Sequence, residues 1–164
     1  MEYTELIENV KKWSIDKGLD KAEPKKQMLK LMEEYGELCA GVNKNDKELI
    51  VDSIGDMAVV MIILAQQSEY DDFDISITGD GTDYGLADIL LCMAFMLGDL
   101  ARSIDIFGNS RKTLTDLACV QVVLHDFANS QGLTVKDCLE SAWYEIADRK
   151  GEMVNGVFVK EADL

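Results

Sequence analysis

Apolar residues recur at three- and four-residue spacing over most of the chain, and Pro24 is the single proline, so the pattern is helical nearly throughout. Leu6, Val10 and Trp13 form the apolar stripe of a first helix over about 3–17, which Gly18 ends. A second helix opens near Pro24, a residue suited to a first helical turn, and runs to about Val42. "NKND" (Asn43 to Asp46) is a turn that supplies capping side chains to a third helix over about 47–69. "EYDDFDISITGDGTDYG" (Glu69 to Gly85) is acidic, glycine-bearing and free of helical periodicity, which predicts a long loop with room for a short extended piece. Further helices are expected at about 86–106, 112–130 and 134–150, broken by "FGNSRK" and "QGLT", ahead of the tail "GEMVNGVFVKEADL". Strand signals are weak. The expected fold is all-α, an antiparallel helical bundle.

The chain of 164 residues suits one domain, 1–164, large enough to bury a core without staples. Apolar residues make up 48% and charged ones 29%, which excludes a disordered chain. The longest apolar run, "MAVVMIILA" (Met57 to Ala65), falls well short of the ~20 residues a membrane span needs. The start "MEYTELIENVKKW" is amphipathic and acid-containing, unlike a signal peptide, so no membrane partner and a cytoplasmic location are expected. Cys39, Cys92, Cys119 and Cys138 form no CxxC pair, and His125 is the single histidine. Zinc is therefore not expected, and the cysteines read as buried free thiols. His125, between Leu124 and Phe127, reads as a satisfied or surface histidine, and Trp13 and Trp143 as core residues that double as base-stacking candidates. The formal charge of −15 argues against a nucleic-acid partner, and any phosphate ligand would need metal ions or a local basic patch.

The second half of the chain echoes the first. Shifting the second helix by 62 residues places Leu29, Leu31, Gly36, Glu37 and Leu38 on Leu91, Met93, Gly98, Asp99 and Leu100. Shifting the third by 64 places Ile50, Asp52, Val59 and Val60 on Leu114, Asp116, Val123 and Leu124. An inserted or duplicated hairpin at about 70–131 is one expectation; chance similarity of apolar helices is the other.

Acids crowd the first hairpin. Glu33, Glu34 and Glu37 share a face of one helix, and Asp52 and Asp56, four apart, share a face of the next. Glu37 lies nine residues before Asp46 and Asp56 ten after it, so at ~1.5 Å per residue the two sets come level across an antiparallel pair. Gly36 and Gly55 beside them permit close approach. EExxE alone also describes a solvated helix face, but Asp52 and Asp56 stand in "VDSIGDMAVVMIILA", with hardly another polar residue. Three to five carboxylates at one level would make an all-oxygen cage suited to Mg²⁺, with Mn²⁺ possible.

"QMLKLMEEYGEL" followed by "VDSIGDMAVVMIILA" resembles the MazG-like, all-α nucleoside triphosphate pyrophosphohydrolase superfamily, marked by EExxE on one helix and ExxD on the next. "SAWYEIADRKGEMVNGVFVKE" is similar to the closing helix and tail of its small phage-type members. The resemblance implies Mg²⁺-dependent hydrolysis of a nucleoside or deoxynucleoside triphosphate to the monophosphate and pyrophosphate. By position it implies Glu34, Glu37 and Asp56 as metal ligands. The ExxD glutamate position holds Ser53, which leaves Asp52, one residue earlier, as the substitute ligand. Glu33 is an outer ligand or positions the attacking water, so the catalytic set is Glu33, Glu34 and Glu37. Lys30, Arg149, Lys150 and Asn155 are the candidate substrate contacts. A homo-oligomer is expected, because the helices are apolar on more than one side. The rival expectation is a non-catalytic acidic helical interaction module, which Ser53 and the negative charge favour.

Overall fold

The computed structural model describes residues 1–68, 84–155 and 157–163; the acidic segment 69–83 lies outside the described residues. Six helices carry the chain: α1 Tyr3–Lys17, α2 Pro24–Lys44, α3 Lys47–Gln67, α4 Leu86–Phe107, α5 Arg111–Ser130 and α6 Val135–Ile146. A 3-10 turn, Leu19–Lys21, joins α1 to α2. The all-α expectation holds, with one addition. The tail is an antiparallel hairpin of β1 Gly151–Val154 and β2 Val157–Lys160, in which Gly151 pairs with Lys160 and Met153 with Phe158.

Local chemistry sets the boundaries. Gly18 closes α1 at φ 74°, left-handed backbone that favours glycine, and its N–H donates to the Ile15 and Ser14 carbonyls. Pro24 occupies the first turn of α2, where a missing N–H costs nothing. The Asp46 carboxylate accepts from Leu49 N–H at the head of α3, Ser110 from Thr113 N–H at α5, and Thr134 from Asp137 N–H at α6. Helix α6 stops at Ile146, earlier than the expected 150, and the chain turns into the hairpin instead.

Helix α3 is the centre. Every residue from Met57 to Ala65 is buried, so it is apolar all round, as a helix enclosed by neighbours must be. Helices α1, α2, α5 and α6 pack on it. At Gly55 a side chain is sterically excluded: an added Cβ would run into the Cys138 carbonyl and lie 2.9 Å from Ala142 Cβ of α6. Gly36, by contrast, faces open space. α4 and α5 form a second antiparallel hairpin, clasped by Ser103 donating to Asp116, which Lys112 also grips at 2.6 Å. α4 lies along α2, where Tyr35 Oη donates to the Leu90 carbonyl at 2.8 Å and Lys25 pairs with Asp105 at 2.6 Å.

One expectation needs correcting. Of the cysteines only Cys138 is buried; Cys39 on α2 is intermediate, and Cys92 and Cys119 are exposed because α4 and α5 turn those positions outward. His125 is buried within α5.

Candidate functional site

A cavity of about 450 Å³ opens between α2, α3, the end of α6 and the hairpin. The face of α2 contributes Lys26, Gln27, Lys30, Glu33 and Glu34, which recur at helical spacing and so share one side. α3 answers with Asp56, Val59, Val60 and Ile63, again one face. Trp13 and Leu19 form an apolar end, and Ile146, Arg149, Phe158, Val159 and Lys160 close the cavity from the C-terminal side. Phe158 meets Trp13 edge-on, with ring centroids 5.7 Å apart and planes at 67°, and Lys17 Nζ stands 5.8 Å over the Phe158 ring. Lys26 donates to the Asn155 carbonyl, which ties the hairpin's turn back to α2.

The charges inside are tightly arranged. Glu34, 2% exposed, accepts from Lys30 at 2.6 Å, and Lys30 also reaches Glu33 at 3.2 Å. Burial pushes the Glu34 carboxyl up, the neighbouring Glu37 and Glu33 add to that, and Lys30 opposes it. Burial would draw Lys30 down, but its pairs with Glu34 and Glu33 outweigh this and hold its amine above the ordinary range. Asp56 is pushed up to about 7, first by burial, then by the Glu34 and Asp52 charges, against the pull of Arg149 and Lys30. Thus the residues of α2, α3 and the tail act on one another electrostatically.

The structure gathers Lys30, Glu33, Glu34, Asp56 and Arg149 of the expected set around this cavity. It separates others. Asp52 lies within electrostatic reach of Asp56 but lines a second groove, with Asp46, Ser141 and Glu145. Glu37, one turn beyond Glu34, is not among the lining residues. Lys150 is exposed, and Asn155 presents its backbone carbonyl to Lys26 from the hairpin turn. Among the described residues no three His, Cys, Asp or Glu side chains are grouped to hold a metal. Ser53 is buried and donates to the Leu49 carbonyl, a helix-internal bond that keeps it out of the cavity. Three carboxylates line the cavity, Glu33, Glu34 and Asp56, of which Glu33 is exposed and Glu34 and Asp56 are the more enclosed pair. That pair fits a hard cation such as Mg²⁺, which commonly takes one or two carboxylates and completes its shell with water and substrate phosphate. The lining residues not expected from sequence are Lys26, Gln27, Lys160 and the aromatic wall of Phe158.

Comparison with known proteins bears on the α2–α3 half. Residues 22–78 match the MazG nucleotide pyrophosphohydrolase domain. The matched segment therefore holds Lys26, Lys30, Glu33, Glu34, Glu37, Asp52 and Asp56, while Trp13, Arg149 and the hairpin lie outside it. The chain is also 53% identical over 68 residues to a protein of Haemophilus phage HP1 (strain HP1c1) named "Uncharacterized 18.2 kDa protein in rep-hol intergenic region". That alignment covers 41% of this chain and 42% of the phage protein, so the chain spans less than half the length of its relative. No solved structure matches. Among the described residues no helix is long and apolar enough to cross a membrane.

Proposed function

We propose that the protein hydrolyses a nucleoside or deoxynucleoside triphosphate to the monophosphate and pyrophosphate with Mg²⁺. The observation that carries this is the cavity beside the segment matched to the MazG domain, where buried Glu34 and half-buried Asp56 share one lining with Lys26, Lys30, Arg149 and Lys160. In a chain of charge −15, four cations around one cavity are the local basic patch that an anionic substrate requires. Glu34 and Asp56 would hold the ion, with Glu37 and Asp52, each one helical turn away, as further carboxylates. Bound there, the ion supplies neutralisation of phosphate charge and a more acidic water. Lys26, Lys30, Arg149 and Lys160 grip phosphate oxygens as charge-assisted donors. Glu33, half of the Lys30 clasp and exposed to solvent, accepts the proton of the attacking water. The apolar end at Trp13, Leu19, Ile63 and Phe158 receives the nucleoside and excludes water from it. A cytoplasmic location goes with that reading.

The same reading includes a homo-oligomer. α2 and α4, side by side, leave Leu29, Met32, Leu91 and Phe95 exposed (Phe95 to 73%), an apolar face of the kind that marks an association surface.

The test is pyrophosphate release from a panel of nucleoside triphosphates, with and without Mg²⁺. Product that depends on Mg²⁺ and disappears in Glu34→Gln and Glu37→Ala supports the hydrolase. Silence across the panel from a folded chain overturns it and supports the acidic interaction module, the reading that Ser53 and the charge of −15 favour.

A further inference from the structure

Lys30 Nζ lies 2.6 Å from Glu34 Oε1 and 3.2 Å from Glu33 Oε1. A carboxylate 2% exposed needs a counter-charge, and this ammonium provides it. The two residues stand four apart on α2, so the pair forms within one helix face without any movement of the fold. Lys30 itself remains 46% exposed on a flexible four-carbon stem, and so can leave Glu34 while Glu34 stays fixed. Both side chains line the cavity, with Lys26, Arg149 and Lys160 around the same opening. Glu34 is thus already engaged by a cation at the place where the hydrolase reading needs a divalent ion. Lys30 is equally engaged by a carboxylate where that reading needs a phosphate contact.

Resting on that reading, we propose that Lys30 couples ion loading to nucleotide arrival: without nucleotide its ammonium occupies Glu34, and the incoming phosphate chain draws it away and frees Glu34 for the divalent ion. The two ligands then help each other to bind, and the coupling is reciprocal. Lys30 in this role is a positioning residue, and its signature lies in ion binding rather than in turnover.

The experiment titrates Mn²⁺ alone into the full chain and into Lys30→Gln and Lys30→Arg, at about pH 8 so that carboxylates are ionised. It then repeats each titration with a saturating non-hydrolysable nucleoside triphosphate. Circular dichroism verifies folding, and Lys30→Met replaces the glutamine variant if that one fails to fold. Without nucleotide, Lys30→Gln should bind Mn²⁺ about tenfold more tightly than the native chain, while Lys30→Arg matches the native chain. With nucleotide bound, the native chain should draw level with Lys30→Gln. Equal Mn²⁺ affinity of the native chain and Lys30→Gln without nucleotide would overturn the exchange and leave the hydrolase standing. Failure of all three proteins to bind Mn²⁺ under either condition would overturn the divalent-ion reading and the exchange with it.

Discussion

Asp56→Asn isolates the electrostatic cost built into the cavity. In the metal-free protein the Asp56 carboxyl sits at about 7 instead of 3.8, chiefly through burial, with Glu34 and Asp52 adding and Arg149 and Lys30 opposing. Between those values the folded chain keeps a proton that the unfolded chain has already released. Stability must therefore fall as pH rises through that window, and the loss is complete above about 7. About three units at ~1.36 kcal/mol each set an upper limit of ~4 kcal/mol. Asp56 is not fully enclosed, so solvent screening reduces this to roughly 2 kcal/mol. Asparagine keeps the shape and carries no charge. In a chelator at about pH 8 the variant should melt roughly 4–8 °C above the native protein, and the gap should close toward pH 4. Added Mg²⁺ should reverse the order, because an ion bound only to the folded native protein at a hundred times its dissociation constant adds ~2.7 kcal/mol that the variant forgoes. Calorimetric melts at the two pH values, each with and without Mg²⁺, measure all of this. A variant no more stable than the native chain at high pH without metal would refute the burial argument. An unchanged response to Mg²⁺ would remove Asp56 from the ion's ligands.

Gly55→Ala should cost about 2 kcal/mol, since the new Cβ forces α6 off α3, and thermal melts would show the loss; a neutral result would mean that the Cys138 and Ala142 contacts yield freely. Phe158→Ala removes the edge-on partner of Trp13, so it should destabilise the fold by about 0.5–1.5 kcal/mol and raise KM for the nucleotide several-fold. An unchanged KM would detach the hairpin from the substrate. Phe95→Glu places a charge on the exposed α2–α4 face, and should convert an oligomer to monomer in light scattering without lowering the monomer's own helicity.

Helix existence was legible because it rests on local signals. Gly18, Pro24, Asp46, Ser110 and Thr134 each mark a boundary through backbone chemistry confined to a few residues. The hairpin had its signal too. "MVNGVFV" places Asn-Gly between β-forming residues, and Asn155 does adopt φ 53°, as a two-residue hairpin turn asks of its first position. Lys160 and Phe158 stayed out of the expected site because that signal was read as an irregular tail. Lys26 and Gln27 were within reach, standing four and three residues before Lys30 on the same face. Directions around an apolar helix were not. α3 is apolar on every side, so periodicity puts Asp52 and Asp56 on one stripe but not on one cavity. For the same reason nothing in the pattern turned Cys92, Leu91 and Phe95 outward on α4.

The charge distribution explains why the chain's composition and its cavity point in opposite directions. Thirty-one acids against sixteen bases make the whole surface repel anions. Yet ions screen such a field beyond ~8 Å at physiological strength, so a ligand already in the cavity feels mainly its lining. There Lys26, Lys30, Arg149 and Lys160 face Glu33, Glu34 and Asp56, four cations against three carboxylates. Two of these cations come from beyond residues 22–78, and the tail's hairpin carries Lys160 to the opening. Residues 22–78 cut free of α6 and the hairpin would keep their acids and lose half of that positive charge. Three carboxylates against two cations would then repel a triphosphate, so in this protein the C-terminal elements complete the cavity electrostatically as well as sterically.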